Sequence, residues 1–163
     1  VGDWNRSTFE CKYEILPEDI RTEIQKHLEI FNLGLITSNY LTCIKTTSEK
    51  KKKGLFSGGG NKLLISYVIL TPTWLIYATS GDKSGIGILS AQLKDLNITD
   101  FKDSPEFQIL KDTGLYITGI FTGKTGIHGD PRVSTFIPLG EEPAADQFKE
   151  RLMQAYQSTR KSV

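Results

Sequence analysis

Between residues 62 and 101 the chain is a succession of short apolar runs cut by reversals, and nothing reactive stands at the cuts. Residues 62–70, 74–79, 86–93 and 96–101 are each too short for a stable helix. They are rich in Val, Ile, Leu and Tyr, which fit a pleated, half-buried surface. Thr71-Pro72-Thr73, Gly81-Asp82-Lys83-Ser84-Gly85 and Lys94-Asp95 separate them. Pro72, Gly81 and Gly85 supply the backbone angles that reversals need. The pattern predicts a β scaffold with its variable chemistry pushed into the loops.

A chain of 163 residues fits one domain and can bury roughly two thirds of its unfolded surface without metal or disulfide staples. A charged fraction of 24% and a net charge of +1 create no global field that would draw nucleic acid, so electrostatic binding has to come from a local patch. Cys11 and Cys43 are far apart in sequence and have no CxxC or Cys/His spacing around them. They read as two reduced structural thiols of a cytoplasmic protein. No run of about 18 apolar residues suggests a membrane span, and the opening Val1-Gly2-Asp3-Trp4-Asn5-Arg6 lacks the basic-then-apolar design of a signal peptide.

Around the central runs, residues 17–31 predict a helix. Ile20, Ile24, Leu28 and Phe31 fall on one stripe, Pro17 suits the first helical position, Glu18 and Asp19 favour the positive helix start, and Gly34 can end it. Residues 39–47 predict a strand, with Tyr40, Leu41, Cys43 and Ile44 as its apolar content. Residues 49–61 combine like charge with glycine and read as a long mobile hairpin loop. Residues 103–112 read as a connection with room for a helical turn. Residues 115–122 set Leu115, Ile117, Gly119 and Phe121 against Tyr116, Thr118, Ile120 and Thr122, and 133–139 is a further short strand. Seven strands are thus expected. The last element, 143–160, predicts a helix with Ala145, Phe148, Leu152, Ala155 and Tyr156 on one face and its charges ordered along the macrodipole.

Several groups could carry chemistry. From Lys45 to Lys62 there are six lysines (Lys45, Lys50, Lys51, Lys52, Lys53 and Lys62) against the single carboxylate of Glu49. This is a candidate anionic contact, with Leu55 and Phe56 placed to dip into a membrane interface. Its alternative is a solvated loop that keeps a hairpin tip soluble. No aromatic-interleaved basic face accompanies the lysines, which disfavours nucleic acid. Gly119-Ile120-Phe121-Thr122-Gly123-Lys124-Thr125 has three residues where a phosphate-binding loop needs four, and no helix can open after it. His128, Asp130 and Arg132 share a glycine-rich loop and, with Ser134, suggest a catalytic cluster, but a glycine-rich tip holds no nucleophile and base rigidly, and they read as turn residues with Asp130 before Pro131. His27 reads as a boundary residue on the helix, and Trp4, Phe9 and Trp74 as packing anchors. No constellation of acids, bases or metal ligands points to an enzyme.

Seven strands in series followed by one amphipathic helix resemble the pleckstrin-homology-like (PH-like) barrel. Val68-Ile69-Leu70-Thr71-Pro72-Thr73-Trp74-Leu75-Ile76-Tyr77 looks like the second-to-third strand hairpin of bacterial members, and Leu89-Ser90-Ala91-Gln92-Leu93-Lys94-Asp95-Leu96 like the strand that follows. The resemblance implies a mainly β (α+β) fold: a partly open seven-stranded barrel of two orthogonal antiparallel sheets, capped by the C-terminal helix, over residues 39–163. Residues 1–38 would then be an extension carrying an extra helix. It further implies a non-enzymatic binding or adaptor module with no cofactor, cytoplasmic or peripheral to the membrane, whose partner is a protein or an anionic lipid surface. Structural self-association into a homo-oligomer is the alternative. Phosphoinositide-binding members place basic residues where Lys45, Lys50 to Lys53 and Lys62 stand here, but Leu64 occupies the place of their Arg. The directed bidentate contacts of a guanidinium are thereby lost. The closing helix also lacks the Trp of eukaryotic members, as in a divergent bacterial type.

Overall fold

The computed structural model describes residues 3–51, 60–124, 126 and 130–161. Among them the chain forms two antiparallel sheets and two α-helices. The larger sheet runs in the order β1 (Trp4–Cys11), β2 (Thr42–Lys50), β3 (Leu63–Leu70), β4 (Trp74–Gly81) and β5 (Gly87–Gln92). The smaller runs β6 (Leu96–Asp100), β7 (Gly114–Ile120) and β8 (Arg132–Pro138). Helix α1 (Glu18–Ile30) connects β1 to β2, and α2 (Pro143–Lys161) follows β8. Two 3-10 turns, Phe101–Asp103 and Pro105–Gln108, occupy the connection between β6 and β7.

The expectation of seven strands is corrected to eight. The addition is β1, which pairs with β2 along its whole length from Trp4↔Lys50 to Cys11↔Cys43. Its pattern is inverted relative to an ordinary edge strand: Trp4, Arg6 and Thr8 point to the interior side while Phe9, 60% exposed, points out. Hydrophobic periodicity therefore carries no signal for it. The start of β2 also shifts, to Thr42, because Ile36–Asn39 form a 3-10 turn and Leu41 is exposed.

The uninterrupted apolar runs of β3 and β4 have a direct cause: the large sheet is covered on both faces. Ile44, Val68, Leu70, Leu75 and Tyr77 pack toward the small sheet and α2, joined by Leu93, Leu96, Leu115, Ile117, Ile137 and the α2 stripe of Phe148, Leu152 and Tyr156. The alternate residues Cys43, Tyr67, Ile69, Ile76 and Ala78 pack against Leu16, Ile20, Ile24 and Leu28 of α1 and its approach. Each fully buried large side chain contributes about 1.5–3 kcal/mol of transfer free energy.

Helix α1 begins one residue later than its proline suggests, with Pro17 as N-cap, and it ends before Gly34. Asn32, at φ 53°, takes the left-handed position. The Asn32 amide donates to the Glu29 carbonyl at 3.1 Å and the Leu33 amide to the Leu28 carbonyl at 2.9 Å. That pair of bonds is a Schellman cap. Phe31, 40% exposed, meets the His27 ring at a tilt of 54°, ring centroids 4.7 Å apart.

The two sheets do not close into a barrel. On the β5 side one isolated bridge joins Ser90 to Thr122, with N···O distances of 3.3 and 2.7 Å. On the β1 side the Thr8 amide donates to Glu142 Oε2 and the Gly140 amide to Thr8 Oγ1, both at 2.8 Å. A Cβ on Gly140 would meet Ser7 Cα and Thr8 N at 3.0 Å, so only glycine lets this segment approach β1 so closely.

Candidate functional site

Where the apolar core runs out between β1 and the small sheet, the interior becomes polar. Arg6 projects into this zone with its side chain 8% exposed. Its Nε and Nη2 bind the two carboxylate oxygens of Asp112 at 2.8 and 2.6 Å, and Nη1 donates to Ser48 Oγ at 2.8 Å. The guanidinium carbon lies 5.2 Å from the Phe136 ring centroid and 5.9 Å from that of Trp4. Thr8 and Thr46 share a hydrogen bond at 2.8 Å one step deeper. The bidentate fork and the aromatic flanks use the guanidinium's donors and faces, so Arg6 clamps β1 to the segment before β7. Burial pushes the nearby Tyr77 phenol up, although the charge of Arg6 opposes this, and its hydroxyl donates to the Phe136 carbonyl at 3.3 Å.

Outside this clamp lies a cleft of about 500 Å³ bordered by Trp4, Asn5, Lys51, Phe107, Lys111 and Glu141. Lys111 Nζ sits 4.4 Å from the Phe107 ring centroid. Two cations, an acidic lip and two aromatic walls make it a polar surface groove.

The lysines expected to act together are distributed by strand register. Lys50 of β2 lies opposite Trp4 of β1 and its amide donates to the carbonyl of Lys62, one residue before β3, at 2.8 Å, so Trp4, Lys50 and Lys62 stand in a row across the sheet. Lys51 follows, its amide bonded to the Asp3 carbonyl at 2.8 Å, and its side chain borders the cleft. The Lys62 and Leu63 amides donate to Asp82 Oδ1 at 2.9 and 3.2 Å, which holds the Asp82 carboxyl below the usual carboxylate range. Lys45 lies elsewhere. It is half-buried between Phe9 and Tyr67, on the face of the sheet that carries α1, because five residues separate it from Lys50 and successive side chains alternate. Lys52, Lys53, Leu55 and Phe56 lie outside the described residues.

This row occupies the end of the sheet where the cleft opens, beside Glu141 and the approach to α2. At the other end Arg151 of α2 pairs with Glu10 at 2.8 Å and the Tyr156 hydroxyl donates to the Leu96 carbonyl at 3.0 Å. The length of β2 puts about 25 Å between the two ends.

The other sequence candidates separate as well. His128 is outside the described residues, Asp130 accepts from the Arg132 amide at 2.9 Å as a turn residue does, and Ser134 meets Thr118 at 3.3 Å. His27 is more deeply placed than a boundary residue: it is 6% exposed, with Nε2 2.8 Å from Ser90 Oγ beside the bridge that joins the sheets. Burial lowers its imidazole below the ordinary value. Among the described residues no group of three or more His, Cys, Asp and Glu could hold a metal ion. No helix among them is long and apolar enough to cross a membrane. Comparison of the chain with protein-family models, with curated proteins and with solved structures gives no match.

Proposed function

We propose that the chain is a non-enzymatic binding module of PH-like type, and that the end of its large sheet that carries Trp4, Lys50 and Lys62 makes weak contact with anionic membrane surfaces. The observation that carries this reading is the register-aligned row of Trp4, Lys50 and Lys62, continued by Lys51. Three cations on one rim suit a negatively charged surface, with their ammonium groups at the phosphates. The order of strands followed by a capping helix also suits this type, with β1 as an added edge strand. Leu64, inside β3, leaves no guanidinium to fork onto a single headgroup, so the contact is a diffuse one of several lysines. Lys45 takes no part in it.

Vesicle cosedimentation tests the proposal. The chain is expected to sediment with vesicles containing phosphatidylserine and not with phosphatidylcholine alone, and to be released as salt rises. Changing Lys50, Lys51 and Lys62 to Gln should weaken binding roughly fivefold per lysine, about 1 kcal/mol each. Absence of binding to anionic vesicles at low salt, or indifference to the triple substitution, overturns it.

A further inference from the structure

We infer that Cys11 and Cys43 form a reversible intramolecular disulfide, a redox modification site joining β1 to β2. The two cysteines are directly opposed in the antiparallel register, and their sulfurs stand 3.0 Å apart. Opposed residues of an antiparallel pair have Cα atoms about 4.5–5.5 Å apart, inside the range of about 4.4–6.8 Å that a disulfide spans. Bond formation therefore requires only the sulfurs to approach, without movement of either strand.

The two thiols are not equivalent. Cys11, the last residue of the edge strand, is partly exposed, whereas Cys43 is fully buried beside Tyr67, Ile69 and Ile76. An oxidant meets Cys11 first, and Cys43 waits beneath it as the resolving thiol. The thiol hydrogen bond from Cys43 draws Cys11 below its ordinary value, with nearby Lys45 adding to the effect, while the same bond and burial hold Cys43 protonated. Both differences favour attack by Cys11.

The reaction balances with a low-molecular-weight disulfide such as glutathione disulfide. The Cys11 thiolate attacks one of its sulfurs and expels a glutathione thiolate, leaving a mixed disulfide. The Cys43 sulfur then attacks the Cys11 sulfur and displaces the second glutathione, which takes the proton that Cys43 gives up. Two protein thiols are oxidised and one small disulfide is reduced to two thiols. The product staples the edge strand that carries Trp4 and Arg6.

The experiment equilibrates the full chain with glutathione and glutathione disulfide in stepped ratios, quenches with acid, alkylates and measures intact mass. The expected result is loss of both alkylatable thiols, a mass lower by about two hydrogens than the reduced chain, a peptide cross-link between Cys11 and Cys43, and full reversal by dithiothreitol. Cys11→Ser should stay folded and leave Cys43 unreactive. Cys43→Ser should instead collect a stable glutathione adduct on Cys11. Should that core substitution fail to fold, the Cys11→Ser comparison decides alone. The inference is overturned if both thiols stay alkylatable under conditions that oxidise the urea-unfolded chain, if a glutathione adduct persists on Cys11 of the unsubstituted chain, or if disulfides form between chains instead.

Discussion

Arg6 illustrates how much one side chain can hold together when its charge is answered on every side. Removing the Asp112 charge in Asp112→Asn takes away the fork-shaped acceptor and leaves a mostly buried guanidinium with Ser48 and two aromatic faces. Urea unfolding should show a loss of about 1.5–3 kcal/mol. Arg6→Lys should recover little, since an ammonium cannot reproduce two parallel bonds. His27 gives a pH dependence with a definite sign. Its folded value lies below the ordinary 6.5 because burial disfavours the imidazolium. As pH falls, the unfolded chain takes up this proton before the folded chain does. Stability is therefore full above about pH 6.5 and declines as pH falls toward the lowered folded value. Urea midpoints measured at about pH 7.5 and about pH 5 should differ in that direction, and His27→Gln should remove the histidine's share of the difference. Neither role was legible beforehand: Arg6 sat in an opening segment without a periodic pattern, and nothing along the chain points from His27 to Ser90.

Among the elements, both helices were readable, because a 3.6-residue apolar stripe has one physical meaning when it recurs over several turns. The five residues expected on one face of α2 are all buried. The end of α1 was less legible: Gly34 is the better left-handed residue by composition, yet Asn32 takes the C′ position because the Schellman bonds close there. Asn32→Val should cost about 1–2 kcal/mol, since a branched side chain is strained at positive φ, while Asn32→Gly should leave stability unchanged or slightly raised. Thermal unfolding of the two variants checks the order. The strand β1 was illegible for the opposite reason. Its inward positions Arg6 and Thr8 are polar and are tolerated only because Asp112, Ser48, Thr46 and Gly140 satisfy them, and those partners lie far along the chain.

At the scale of the molecule, α2 is part of the core: Phe148 and Leu152 are 1% and 0% exposed among residues of both sheets. Phe148→Ala should cost about 3–5 kcal/mol. A chain ending at Gly140 should lose its cooperative unfolding transition and bind hydrophobic dyes, and a native-like transition in it would refute this account of the core. Apolar patterning by itself determined that the chain is mainly β and that 143–160 is helical with a defined buried face. These are properties of local period and turn chemistry, which short segments express without knowledge of their neighbours. Only the tertiary structure decided that an opening segment supplies an edge strand, that Lys45 and Lys50 lie on opposite faces, and that Cys11 meets Cys43. Those outcomes depend on strand pairing and register, in which a shift of one residue reverses every side chain, and pairing is settled by contacts between residues distant in the chain.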